Sequence, residues 1–121
     1  MNQVTLIGNV GRDPEIRSLS SGGLVMKFSI ATTYKRRDGE KETTWHTVVV
    51  FGKPVDWLQN SIFKGSTVFV QGSYVSRQYE TRDGVKKQTY EVRAFDVRVI
   101  QRAGQEAPRE EQNVSDDMTP F

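Results

Sequence analysis

In the segment TTWHTVVVF (residues 43–51), Trp45, Thr47, Val49 and Phe51 fall on one parity and His46, Val48 and Val50 on the other. In a β-strand that alternation separates two faces. The valine face suits a core, so the opposite face presents a tryptophan and a phenylalanine outward. Two more aromatics stand among cations. Tyr34 precedes Lys35, Arg36 and Arg37, and Tyr79 lies between Arg77 and Arg82. Flat rings among positive charges on a sheet can take up unpaired nucleobases by stacking, at about 1–3 kcal/mol per base, while the cations follow a phosphate backbone. Arg12, Lys53, Lys64, Lys86 and Lys87 extend the candidate set. The pattern points to single-stranded nucleic acid. Each residue also has a plainer use: cross-strand packing for a ring, edge protection for a lysine at a hairpin tip.

Other chemistries find little support. His46 is the only histidine and sits mid-strand, where packing or an interface is its natural role. There is no Walker-type phosphate loop, and GNVGRD lacks the spacing of a dinucleotide fingerprint. Asp13, Glu15, Asp38 and Glu40 fall in turns, where short acidic side chains cap the backbone. The absence of cysteine excludes disulfides, thiolate metal sites and a cysteine nucleophile. No metal-ligand cluster is visible, and no catalytic residue, metal or cofactor is expected. No apolar run approaches the length of a membrane span, and the opening MNQVTLIGNVG has no signal-peptide pattern. A cytoplasmic protein without a membrane partner is the expectation.

These side chains need a scaffold, and the sequence outlines one. QVTLIGNV, GGLVMKFSIATTY, TTWHTVVVF, STVFVQGSYVSRQY and KQTYEVRAFDVRVI read as strands. Leu24, Met26, Phe28 and Ile30 share one parity. Gly72 interrupts the fourth run, as a glycine does at a bulge or barrel bend. The fifth run changes phase near its end. KRRDGEKE and ETRDGVKK carry Asp-Gly, a hairpin-tip signal. GRDPE reads as a turn. In KPVDWLQNSIFKGS, Pro54 suits a helix start and Gly65 its end, with Val55, Leu58 and Ile62 at helical spacing. Trp57 then packs on the helix, while Phe28, Phe69, Tyr90 and Phe95 serve core or subunit contacts. Three strands, one short helix and two strands give the order of an all-β, five-stranded OB-fold, a Greek-key barrel with its helix between strands 3 and 4. Residues 1–102 form this domain and carry a formal charge of +6. Residues 103–121 carry −4 and read as a disordered acidic tail. A basic body suits a polyanion partner, and the tail suits a separate role.

Taken together, these segments resemble the bacterial single-stranded DNA-binding protein family. MNQVTLIGNVGRDPEIR resembles its opening strand and turn, TTWHTVVVFGK its third strand, FKGSTVFVQG its Lys-Gly-Ser strand opening, and DDMTPF its acidic tip ending in Pro-Phe. The resemblance implies a homotetramer that wraps single-stranded DNA without strong sequence preference in replication, recombination and repair. Trp45 and Phe51 match the family's stacking aromatics, and Tyr34 and Tyr79 stand where tryptophans are frequent. His46 matches an interface histidine. Asn2 and Leu6 fall at the family's dimer contact, Phe69 and Gln71 at its contact between dimers. Asp116, Asp117, Met118, Pro120 and Phe121 match the tip that docks partner enzymes. The usual long Gly-, Gln- and Pro-rich linker is reduced to about a dozen residues, each spanning at most ~3.3–3.6 Å. That brings any tip-bound partner close to the barrel. An OB-fold primosome accessory protein, which usually lacks the tip, and an assembly subunit with a protein-binding sheet face are the competing readings.

Overall fold

The computed structural model describes residues 1–102. The expectations for 103–121, including the tip residues Asp116, Asp117, Met118, Pro120 and Phe121, lie outside the described residues. The elements are β1 (Val4–Val10), β2 (Glu15–Ser18), β3 (Leu24–Lys35), β4 (Lys41–Phe51), α1 (Pro54–Leu58), β5 (Thr67–Glu80) and β6 (Lys86–Gln101). β1 pairs with β5 along its length and with β3 at its end, through Asn9↔Ala31 and Val10↔Ile30. β3–β4 and β5–β6 are antiparallel hairpins. β4 meets β6 in parallel through Val48↔Val92 and Val49↔Arg93, which closes the ring β1–β5–β6–β4–β3. This is the expected five-stranded OB-fold barrel.

Two local readings change. GRDPE turns the chain as expected but leads into an unexpected extra strand, since Glu15–Ser18 forms β2 against Leu24–Lys27. All four of its residues are exposed, so no apolar period marks it. The helix is confined to Pro54–Leu58 and has no side-chain cap. Turns carry the chain on to Gly65, whose positive φ of 92° suits glycine. Val55, Leu58 and Ile62 are buried as their spacing implies, but Trp57 points outward and is 54% exposed.

The core follows strand parity. Met26, Phe28 and Ile30 of β3, Val48 and Val50 of β4, and Val68 and Val70 of β5 are all buried. On β6 the phase change has a visible cause. Gln71 faces Asp96 and Gly72 faces Ala94, leaving Phe95 as the extra residue of a bulge. The inward set therefore runs Val92, Ala94, then Val97, Val99. Gly72 is required there, since a Cβ would meet the Arg93 carbonyl oxygen and lie 2.8 Å from the Ala94 Cα. The bulge leaves Phe95 exposed. Tyr90 is also exposed, on the ribbon beyond the barrel, where its ring stacks on Tyr74 at 5.4 Å. Neither belongs to the core of the chain; Phe28 does, and Phe69 is half-buried on the outer side of β5.

Both hairpins run past the barrel as two-stranded ribbons. β3–β4 pairs out to Lys35↔Lys41 and β5–β6 out to Glu80↔Lys86. Gly39 and Gly84, with φ of 88° and 81°, make the two Asp-Gly tips.

Candidate nucleic-acid interface

The outer face of the barrel between the ribbons holds the candidate site. Trp45 lies opposite Ala31 on β4 and stands 60% exposed. Its ring rests on Gly11, where even a methyl group would come within 2.7 Å of Cη2. Beside the ring opens a cleft of about 510 Å³, bordered by Gly11, Arg12, Asp13, Glu15, Lys27 and Trp45. A second cleft of about 220 Å³ shares Glu15 and Lys27 with the first and reaches Phe51, Arg77 and Glu91. The two form one groove that crosses β3 and β4 toward the β5–β6 ribbon. Phe51, 44% exposed, carries the Arg93 guanidinium at 5.8 Å from its ring centre, within cation–π range. Glu91 Oε2 accepts from Arg93 Nε at 3.3 Å and lies 3.8 Å from Arg77 Nη2. Tyr79 continues the Arg77 parity toward the tip, with Lys87 opposite.

The sequence candidates separate into groups. Trp45, Phe51, Arg12, Arg77 and Tyr79 share the groove face, and Lys35 and Lys87 join it by register. Lys64 stands at its rim, its backbone N–H donating to Asp13 Oδ1 at 2.8 Å. Tyr34 pairs with Glu42 on the opposite parity from Trp45, so the structure does not bring it to the groove face. Lys86, opposite Glu80, likewise lies on the other side of its ribbon. Arg36 is engaged within the tip, bonding Asp38 at 2.7 Å and Glu42 at 2.9 Å. That contact holds the Asp38 carboxyl below its ordinary range. Lys53 is exposed at the start of α1.

Three groove cations escaped the sequence reading: Lys27, Arg17 and Arg93. Folding the third and second strand segments about Asp38-Gly39 would have placed Lys27 opposite Val49. Arg93 arrives through the parallel β4–β6 pairing, which leaves no local signal.

Of the residues assigned to subunit contacts, Asn2, Leu6, Gln71 and His46 also make contacts within the chain. The Asn2 side chain donates through Nδ2 to the Tyr74 carbonyl at 2.7 Å and accepts from the Tyr74 N–H at 2.9 Å. Leu6 faces Val70 and packs against the core. Phe69 and Gln71 face outward, opposite Arg98 and Asp96, and Gln71 Nε2 donates to Thr5 Oγ1 at 3.3 Å. His46 is half-buried, Nε2 lies 2.8 Å from Thr32 Oγ1, and burial lowers its pKa. Among the described residues no group of His, Cys, Asp and Glu is placed to hold a metal ion, and no helix is long and apolar enough to cross a membrane.

Residues 1–100 match the Single-strand binding protein family. The chain belongs to that family. Two single-stranded DNA-binding proteins of Neisseria meningitidis, from serogroups A and B, are each 34% identical to it over 104 residues. The match covers 83% of this chain and 60% of theirs, so the chain spans about 60% of the length of those curated relatives. A Plasmodium falciparum SSB solved in complex with ssDNA superposes with a TM-score of 0.75 at 32% identity, covering 84% of this chain and 96% of that one. The family match takes in all five barrel strands and the whole groove.

Proposed function

We propose that this protein binds single-stranded DNA stoichiometrically, without strong sequence preference and without catalysis. The observation that carries the reading is the groove: two exposed rings, Trp45 and Phe51, on one face with Arg12, Lys27, Arg77 and Arg93 beside them. The rings take unpaired bases, whose flat faces are buried in a duplex, and the cations take phosphates. The relative solved with ssDNA supports the same chemistry. Tetramerisation through Asn2, Leu6, His46, Phe69 and Gln71 would multiply such sites into one wrap through effective concentration. The segment DDMTPF is the proposed peptide ligand for replication, recombination and repair enzymes, with Asp116 and Asp117 as charges and Met118, Pro120 and Phe121 as the apolar anchor. The proposed setting is the cytoplasm.

The test is a salt-dependent titration with poly-dT and duplex DNA side by side, with mass measured in solution. Strong preference for poly-dT, a steep salt slope and a tetramer mass are expected. Equal affinity for duplex, or binding indifferent to salt, overturns the reading. Deleting Phe121 should abolish enzyme capture and leave poly-dT binding intact; loss of both would assign the tip to the fold.

A further inference from the structure

A carboxylate on the groove floor is unexpected where phosphates are to bind, yet Glu91 lies there with its side chain only 16% exposed. It reaches two arginines at once, Arg93 at 3.3 Å and Arg77 at 3.8 Å. Arg93 in turn lies over Phe51. The bond to Glu91 uses Nε, and among the described residues no hydrogen bond or ion pair engages Nη1 or Nη2 of Arg93. Its side chain is 42% exposed. A guanidinium fixed at one edge by a carboxylate and on one side by a ring keeps its amino donors for an outside acceptor. Its planar form also suits stacking against a base, which a lysine ammonium cannot do.

Taking the single-stranded DNA reading as the premise, we propose that Arg93 is a nucleotide-contacting residue and Glu91 the residue that positions it. The Phe51–Arg93 pair then acts as one platform. The base packs against the pair, and a phosphate oxygen accepts from the amino groups of the guanidinium. Glu91 offsets its own negative charge near DNA by holding Arg93 over the ring and orienting Arg77.

The experiment measures quenching of Trp45 by poly-dT at a series of salt concentrations, in a Trp57→Phe background so that one tryptophan reports. Thermal melts check that each variant is folded. Arg93→Gln should lower the magnitude of the log K against log salt slope by about 0.7, the value for one phosphate on a single strand. Over a tenfold rise in salt the advantage of the parent protein then shrinks about fivefold. Arg93→Lys should restore that slope but not the full affinity. Glu91→Gln should weaken binding although it removes a negative charge from the groove. An unchanged slope in Arg93→Gln overturns the phosphate contact. Full affinity in Arg93→Lys overturns the stacked platform, and tighter binding by Glu91→Gln overturns the positioning role. If the parent protein itself fails to bind poly-dT, the single-stranded DNA reading falls with the proposal. If the parent binds and the variants match it, only the proposal falls.

Discussion

Adding one methyl group at Gly11 separates the position of the Trp45 ring from the stability of the fold. A Cβ there would sit within 2.7 Å of Trp45 Cη2, so the indole must move. The ring is 60% exposed and free to swing toward solvent. The Gly11 N–H keeps its bond to the Ser29 carbonyl at 3.0 Å, and its φ does not require glycine. Replacing glycine at a compatible position stabilises by about 0.4–1 kcal/mol through the unfolded chain, which offsets part of the cost of moving the ring. Gly11→Ala should therefore leave stability within about 1 kcal/mol of the parent. DNA binding should suffer more. A base stack contributes about 1–3 kcal/mol, so losing it raises Kd by roughly 5- to 150-fold. Trp45→Ala sets the ceiling. The assay is fluorescence anisotropy of labelled oligo-dT, run as a double-mutant cycle with thermal melts. Gly11→Ala combined with Trp45→Ala should bind no worse than Trp45→Ala alone. Parent-like binding by Gly11→Ala, alongside weakened Trp45→Ala, would refute the argument that Gly11 seats the ring. So would simple additivity of the two losses.

Three further outcomes are expected. Gly72→Ala drives a Cβ into the backbone of Arg93 and Ala94, which cannot yield as a side-chain end can; overpacking of this kind costs about 1–3 kcal/mol, read as a lowered denaturation midpoint. His46 is held below its ordinary pKa by burial, so the unfolded chain binds its proton more tightly than the folded one. Stability then rises with pH up to about 6.5 and is lost as pH falls below it; His46→Gln should flatten that slope in melts recorded against pH. Removing residues 103–121, which carry −4 beside a +6 body, should tighten poly-dT binding at low salt and do little at high salt, where such competition is screened; an unchanged low-salt Kd counts against tail competition.

The elements whose signals are local were legible in the sequence. Leu24, Met26, Phe28 and Ile30 marked the inward face of β3, and the two Asp-Gly tips marked both ribbons. The strand–helix order was enough for the barrel. What escaped depends on pairing between distant segments or on isolated exposed residues. β2 has no buried position to give it a period. Arg93 reaches the groove only because β4 and β6 run side by side. Tyr34 was grouped with Trp45 because it is an aromatic beside Lys35, Arg36 and Arg37; the register of the hairpin puts the two on opposite faces. The bulge at Phe95 was visible as a phase change, but only its pairing with Gln71 and Gly72 explains why the phenylalanine turns outward.

The parallel contact between β4 and β6 is short: Val48↔Val92 and Val49↔Arg93. The hairpins on either side bring together residues near in sequence, whereas this seam joins positions more than forty residues apart, and such long loops close at a greater entropic cost. The expected order of assembly is hairpins first and the long-range pairings after them, this seam together with the still more distant β1–β5 pairing (Val4↔Gly72 to Asn9↔Thr67), which pulse-labelled hydrogen exchange can time. Phe51 and Glu91 belong to different hairpins, so the full groove comes into being only once the β4–β6 seam has formed. A partly folded chain can offer one half of the platform or the other. Ligand that spans both halves would therefore select the chain with this seam closed and hold that joint shut.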